Sequence, residues 1–177
     1  MKFRLTFVLP VLLAALAAGA STVIRMDLAA LSRGADLVVL GAGRSATVRW
    51  NAEKTRIYTD TVVAVEQTVK GAAVKEVVVR QLGGEIDGLG MIASGVLHLN
   101  PGEEVVLFLG PDQDGYRRIL GLWQGRFTVL TDPADGKKWV NALPDLSGTG
   151  ARAEGEAGRV PLIEFLAQVR KALAVKP

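Results

Sequence analysis

Ile57-Tyr58-Thr59-Asp60-Thr61-Val62-Val63-Ala64-Val65-Glu66-Gln67-Thr68-Val69-Lys70 is the stretch from which the rest of this 177-residue chain is read. Ile57, Thr59, Thr61, Val63, Val65 and Val69 share one parity, while Tyr58, Asp60, Glu66, Thr68 and Lys70 share the other. Side chains alternate faces along a strand, so this period of two predicts a long, half-buried strand ending at Lys70-Gly71.

Upstream, Leu37-Val38-Val39-Leu40 opens a strand that continues past Gly41-Ala42-Gly43 into Thr47-Val48-Arg49-Trp50. The glycines mark a bulge or sharp bend. Before it, Asp27 to Ser32 forms a short helix, with Asp27 as cap and Gly34 as the left-handed closing residue. Downstream, strands are expected at Glu76–Leu82, Val96–Leu99, Glu104–Leu109, Tyr116–Trp123, Arg126–Leu130 and Lys137–Asn141. Asn100-Pro101-Gly102, Gln113-Asp114-Gly115 and Asp132-Pro133-Ala134-Asp135-Gly136 supply turns between them. Short strands in series without intervening helices favour an antiparallel barrel or sandwich over a parallel α/β sheet. The bent first strand favours the barrel, because a small sheet needs such corners to curl and close.

Beyond Leu143 the composition shifts to glycine and small residues through residue 160, which reads as a linker. It leads to a carboxy-terminal amphipathic helix within residues 161–177, with Leu162, Phe165, Leu166, Val169 and Leu173 on one stripe. Glu164 in its first turn and Arg170 and Lys171 in its last suit the helix dipole. A helix this short is marginal alone, so the stripe docks on the protein's own strands or on a partner, the former being favoured.

At the amino end, Lys2 and Arg4 precede an apolar stretch from Leu5 to Ala18, and Ala18-Gly19-Ala20 gives a small-residue exit. The pattern is that of a secretory signal spanning residues 1–20, cleaved before Ser21, and the stretch is short for a membrane span. The expected organisation is therefore signal 1–20, β-barrel domain 21–143, linker 144–160 and helix 161–177. The mature protein would work in the periplasm or outside the cell, without a membrane anchor.

Removing Lys2 and Arg4, with no acidic residue beside them, takes the net charge of the chain from +3 to +1. Lys and Arg are scattered among acids rather than gathered on one face, which argues against nucleic acid as a partner. The chain has no cysteine and one histidine, His98. Disulfides and thiolate chemistry are excluded, and clustered zinc ligands cannot be assembled. No Ser/His/acid set is available either. Asp112-Gln113-Asp114-Gly115 resembles the start of a calcium loop, but the position that requires glutamate holds Trp123, so a turn is expected. Neither catalytic, cofactor nor metal-binding residues are assigned.

Two segments are candidate binding surfaces. Gly83 to Gly95 is expected to be a mobile loop carrying Gly84, Glu85, Asp87 and Gly88 at the edge of any site. No helix or lysine follows it, so it is not read as a phosphate cradle. Around Gly125, Trp123, Gln124 and Arg126 combine an aromatic, an amide and a guanidinium, the side-chain types that anchor interfaces. Trp123 and Phe127 are more often simply core residues, and that reading is favoured over the interface.

Ala35-Asp36-Leu37-Val38-Val39-Leu40-Gly41, Tyr58-Thr59, Val63-Ala64-Val65-Glu66, Val69-Lys70-Gly71 and Gly83-Gly84 occur in that order, followed by Pro101 to Leu109 and Gly121 to Phe127. This series resembles a family of uncharacterised secreted bacterial β-rich proteins. Its strand order is distantly similar to the netrin-like, OB-type barrel of the tissue inhibitors of metalloproteinases. The resemblance implies that barrel fold, while the inhibitors' disulfides and amino-terminal cysteine have no counterpart here. The expectation is an exported, non-enzymatic module that binds a partner protein. An inhibitor or accessory domain of an exported protease is second, and a hydrolase of unrecognised type is third, with Glu85 and Asp87 as its carboxylates.

Overall fold

The computed structural model describes residues 24–141 and 158–175. The expected signal peptide, and the linker apart from residues 158–160, lie outside the described residues. Helix α1 (Leu28–Gly34) is followed by strands β1 (Leu37–Trp50), β2 (Ile57–Lys70), β3 (Glu76–Leu82), β4 (Gly84–Ile86), β5 (Leu89–Met91) and β6 (Glu104–Leu109). A 3-10 turn (Leu122–Gly125) then precedes β7 (Arg126–Thr131), β8 (Lys138–Asn141), β9 (Arg159–Pro161) and helix α2 (Leu162–Ala174). The fold is mainly β: a seven-stranded antiparallel sheet in the order β3-β2-β1-β6-β7-β8-β9, a separate β4-β5 hairpin, and two helices.

The two central strands explain the architecture. Leu37 to Leu40 on β1 and Val105 to Leu109 on β6 are buried at every position, not at alternate ones. Uninterrupted apolar runs belong to strands covered on both faces, and two separate cores cover these. Val38, Leu40, Val106 and Phe108 face the helices and pack with Leu31, Phe127, Phe165 and Val169. Leu37, Val39, Val105, Leu107 and Leu109 face the other way, towards Val63, Val77, Val79 and Leu99. The stripe of α2 is thus docked on its own sheet, with the Phe165 ring 4.8 Å from that of Phe127.

The long β1-β2 hairpin bends where expected, with register shifts beside Gly41 and Gly43. A Cβ on Gly41 would lie 2.3 Å from the Ala64 carbonyl oxygen, and one on Gly43 2.4 Å from that of Asn100. Only glycine permits those approaches.

Several expectations are corrected. The Asp27 side chain does cap α1, accepting from Ala30 N–H at 2.6 Å, but Gly34 is a helical residue rather than a left-handed stop. A Cβ on it would lie 3.2 Å from Leu120 Cδ2. Val96 to Leu99 joins no strand ladder. Instead the buried amide of Gln81 donates to Leu97 C=O at 2.7 Å and accepts from Leu99 N–H at 2.9 Å, standing in for a neighbouring strand. Tyr116 to Trp123 is not one strand, because Gly121 and Leu122 are both left-handed (φ 63° and 62°) and turn the chain into the 3-10 segment. What remains of it makes a parallel bridge from Arg117 to Val79 on β3 and an antiparallel bridge from Ile119 to Leu109 on β6. Gly83 to Gly95 contains the β4-β5 hairpin, turned by Asp87 and Gly88 with φ of 55° and 73°. Asp-Gly with two positive φ values is the pair that a tight hairpin demands.

Candidate functional site

The described residues enclose a cleft of about 250 Å³ beside the free end of β3. One wall is the β2-β3 pair, which contributes Tyr58, Arg80 and Leu82, with Arg56 just before β2. The facing wall is Arg118, Ile119 and Leu122, and the segment from Ala93 to Leu97 closes the third side. That third side is held in place by Gln81, so an amide buried in β3 positions a loop distant in sequence.

Arg80 is the best-anchored charge. Its guanidinium donates to both oxygens of Asp60, at 2.6 and 2.7 Å, and Arg49 pairs with the same carboxylate at 2.9 Å. Asp60 and Arg80 are cross-strand partners in the β2-β3 register. The hydrogen bonds to Asp60 raise the Arg80 pKa above its ordinary value against the opposing effect of burial, so the charge is permanent. The guanidinium lies over the Tyr116 ring, 3.7 Å from its centroid, and 5.5 Å from that of Tyr58. Arg56 and Arg118 differ: both are exposed and neither is paired with a carboxylate among the described residues. No acidic side chain lines the cleft. The rim carries exposed apolar side chains, with Leu97 59 % and Leu122 43 % exposed. Such an arrangement of fixed cations and apolar surface can hold an anion attached to an apolar body.

The candidate residues from the sequence fall into separate places. Gly84, Glu85, Asp87 and Gly88 sit together on the β4-β5 hairpin, away from the cleft lining. Asp87 accepts from Trp50 Nε1 at 3.2 Å, and Gly84 is packed so closely that a Cβ would lie 2.7 Å from Thr59 Oγ1. Glu85 is exposed, opposite Gly90. Trp123 follows Leu122 in the chain and is partly exposed, but it does not line the cleft. Gln124 is buried and holds the amino-terminal segment, accepting from Met26 N–H at 2.8 Å and donating to Ile24 C=O at 3.0 Å. Arg126 pairs with Glu103 and donates to Leu97 C=O at 3.3 Å, which commits it to bracing the same loop. His98, in that loop, has a buried Nδ1 without a hydrogen-bond partner; burial, with Arg126 adding to it, lowers its pKa.

Arg56, Tyr58, Arg80 and Arg118 were not singled out by local pattern. The one sequence signal for them was the opposite charge of Asp60 and Arg80 on adjacent strands, which becomes a pair only once register is known. Among the described residues no group of three or more metal-binding side chains is found, and no helix is long and apolar enough to cross a membrane. No protein-family model matches the chain, and no curated protein matches it.

Proposed function

We propose that this chain is an exported, non-enzymatic binding module and that the arginine-lined cleft is where it meets a partner protein. The observation that carries the reading is the pair of guanidinium groups, Arg56 and Arg118, left without carboxylates in a cleft whose rim carries exposed apolar side chains. Guanidinium groups stay charged and bind anions rather than exchange protons, which favours binding over acid-base chemistry. Export is inferred from the charged start, apolar stretch and Ala18-Gly19-Ala20 exit.

The finer fold belongs to the same proposal. We infer an OB-type barrel made of β1, β2, β3, residues 116–120 and β6. Its support is a ring of contacts: β3 to Arg117 by a parallel bridge, Ile119 to β6 by an antiparallel one, and β6 back to β1 and β2 through the sheet. That strand order is also what keeps the protease-inhibitor reading second, and it remains an argument from fold alone.

A photo-crosslinking residue placed at Leu122, on the cleft rim, is compared with one at Gln168 on the exposed side of α2. In the exported fraction, position 122 should give a discrete protein adduct and position 168 none. Absence of an adduct at 122, or equal adducts at both, overturns the assignment of the cleft.

A further inference from the structure

The cleft exists because a hydrogen-bond ladder stops after one rung. Arg80 N–H donates to Arg117 C=O at 2.9 Å, and Arg117 N–H to Val78 C=O at 2.8 Å. On the other side of the same segment, Gly110 N–H donates to Arg118 C=O at 3.0 Å and Leu120 N–H to Phe108 C=O at 2.8 Å. In an extended chain the N–H and C=O of one residue point the same way and successive residues alternate. Residues 118 and 120 therefore face β6, and residues 117 and 119 face β3. The next rung would join Ile119 N–H to Arg80 C=O and Leu82 N–H to Ile119 C=O. Neither bond is formed. The walls diverge there, and Arg80, Leu82 and Ile119 all line the opening. Unpaired strand edges are templates for another extended chain.

Three features of the opening converge on one kind of occupant. The backbone groups of Arg80 and Leu82 offer strand-type pairing. The apolar side chains of Leu97 and Leu122 offer contact for one apolar residue. Arg56 and Arg118 offer charge-assisted hydrogen bonds to a carboxylate. A volume of about 250 Å³ is below the range of roughly 300–1,000 Å³ for drug-sized ligands, so it accommodates a terminal residue rather than a larger molecule.

We propose that the cleft captures the carboxy-terminal end of a partner polypeptide. The last residues pair with the free edge of β3, the final apolar side chain rests on Leu97 and Leu122, and the terminal carboxylate meets Arg56 and Arg118. This rests on the binding-module reading of the cleft and adds what is recognised.

The test uses fluorescence anisotropy on the chain from Ser21 onwards, with labelled hexapeptides ending in leucine, valine or phenylalanine, each as free acid and as carboxy-terminal amide. At least one free acid should bind tenfold or more tighter than its amide. The double variant Arg56→Gln/Arg118→Gln should abolish that difference while its thermal melt stays unchanged, since neither side chain has an internal partner to lose. Leu122→Glu, at an exposed rim position, should weaken the acids as well. Acid and amide binding equally would overturn capture of the terminus while leaving a binding module that reads an internal segment. N-acetyl-leucine competing as tightly as the peptide would overturn the polypeptide as the source and leave a site for small apolar acids. No binding by any peptide would overturn this inference, and the crosslinking from Leu122 then decides the wider reading by itself.

Discussion

Asp60 is 5 % exposed, and one carboxylate there receives Arg80 from β3 and Arg49 from β1. Removing it takes from Arg80, which is 20 % exposed and reaches water only through the cleft, both of its carboxylate bonds, whereas the more exposed Arg49 is fully rehydrated. Breaking a buried pair from one side costs about 3–5 kcal/mol. Asp60→Ala should therefore cost about 3 kcal/mol, read from the urea midpoint, and Asp60→Ala/Arg80→Met should cost less than the single change. A single-variant loss below about 1 kcal/mol would mean that the pair is as solvated as a surface bridge. His98 makes a second prediction, on pH. Burial, with Arg126 beside it, lowers its pKa from the ordinary 6.5. As pH falls below 6.5 the unfolded chain takes up the proton before the native one, so stability declines towards the folded value. Glu103 acts in the same direction further down. Burial alone would raise its pKa, but bonds from Arg126, Asn100 N–H and Thr128 outweigh that and hold it below 4.5. Its stabilisation is present above 4.5 and is lost as pH drops through the folded value. The melting temperature should fall between pH 7.5 and 5.5, and His98→Asn should flatten that part of the profile while leaving the decline at lower pH.

At the scale of elements, α2 is bound to the sheet by one face, and its two faces give opposite predictions. Phe165 is buried against Phe127, and truncating such a ring costs about 3–5 kcal/mol. Ile163, on the same helix, is 78 % exposed, and Ile163→Glu should change stability by about 0.5 kcal/mol or less. Chemical denaturation of both variants checks the docking, and similar losses from the two would contradict it. The stripe of α2 was legible in the sequence, as were β2, β3 and β6, because each is an alternating or continuous apolar run bounded by strong turn residues. The missed elements failed for physical reasons. The backbone of Val96 to Leu99 is satisfied by the side chain of Gln81, a substitution that no local pattern reveals. The β4-β5 hairpin was signalled by Asp87-Gly88, but the glycines around that pair read as loop entropy instead. The cleft was the least legible feature. Arg56, Arg80, Leu97 and Arg118 come from four separate segments, and only register and the stopped ladder bring them to one opening.

At the scale of the whole molecule, the start of the described chain is strapped to its far side. Gln124 is 3 % exposed, and its amide joins Met26 and Ile24, 98 and 100 positions earlier, directly beside Leu122 of the cleft rim. Cleavage before Ser21 would keep both partners in the mature protein, so the expected processing site and the strap are compatible. A protein beginning at Asp27 would lack them: Gln124 Oε1 would lose its donor while Nε2 kept Gly121 C=O at 3.2 Å, at a cost of about 1–3 kcal/mol. Amino-terminal sequencing of exported protein should therefore give Ser21, and the version beginning at Asp27 should melt lower. Replacing Gln124 by Leu in the shortened chain should restore part of the loss, because removing both sides of a buried hydrogen bond costs less than removing one. If the short chain is as stable as the long one, water has taken the place of the strap. If residues Leu9 to Leu16 remain on membrane-bound protein, the export reading fails, and with it the choice of compartment in which to seek the partner.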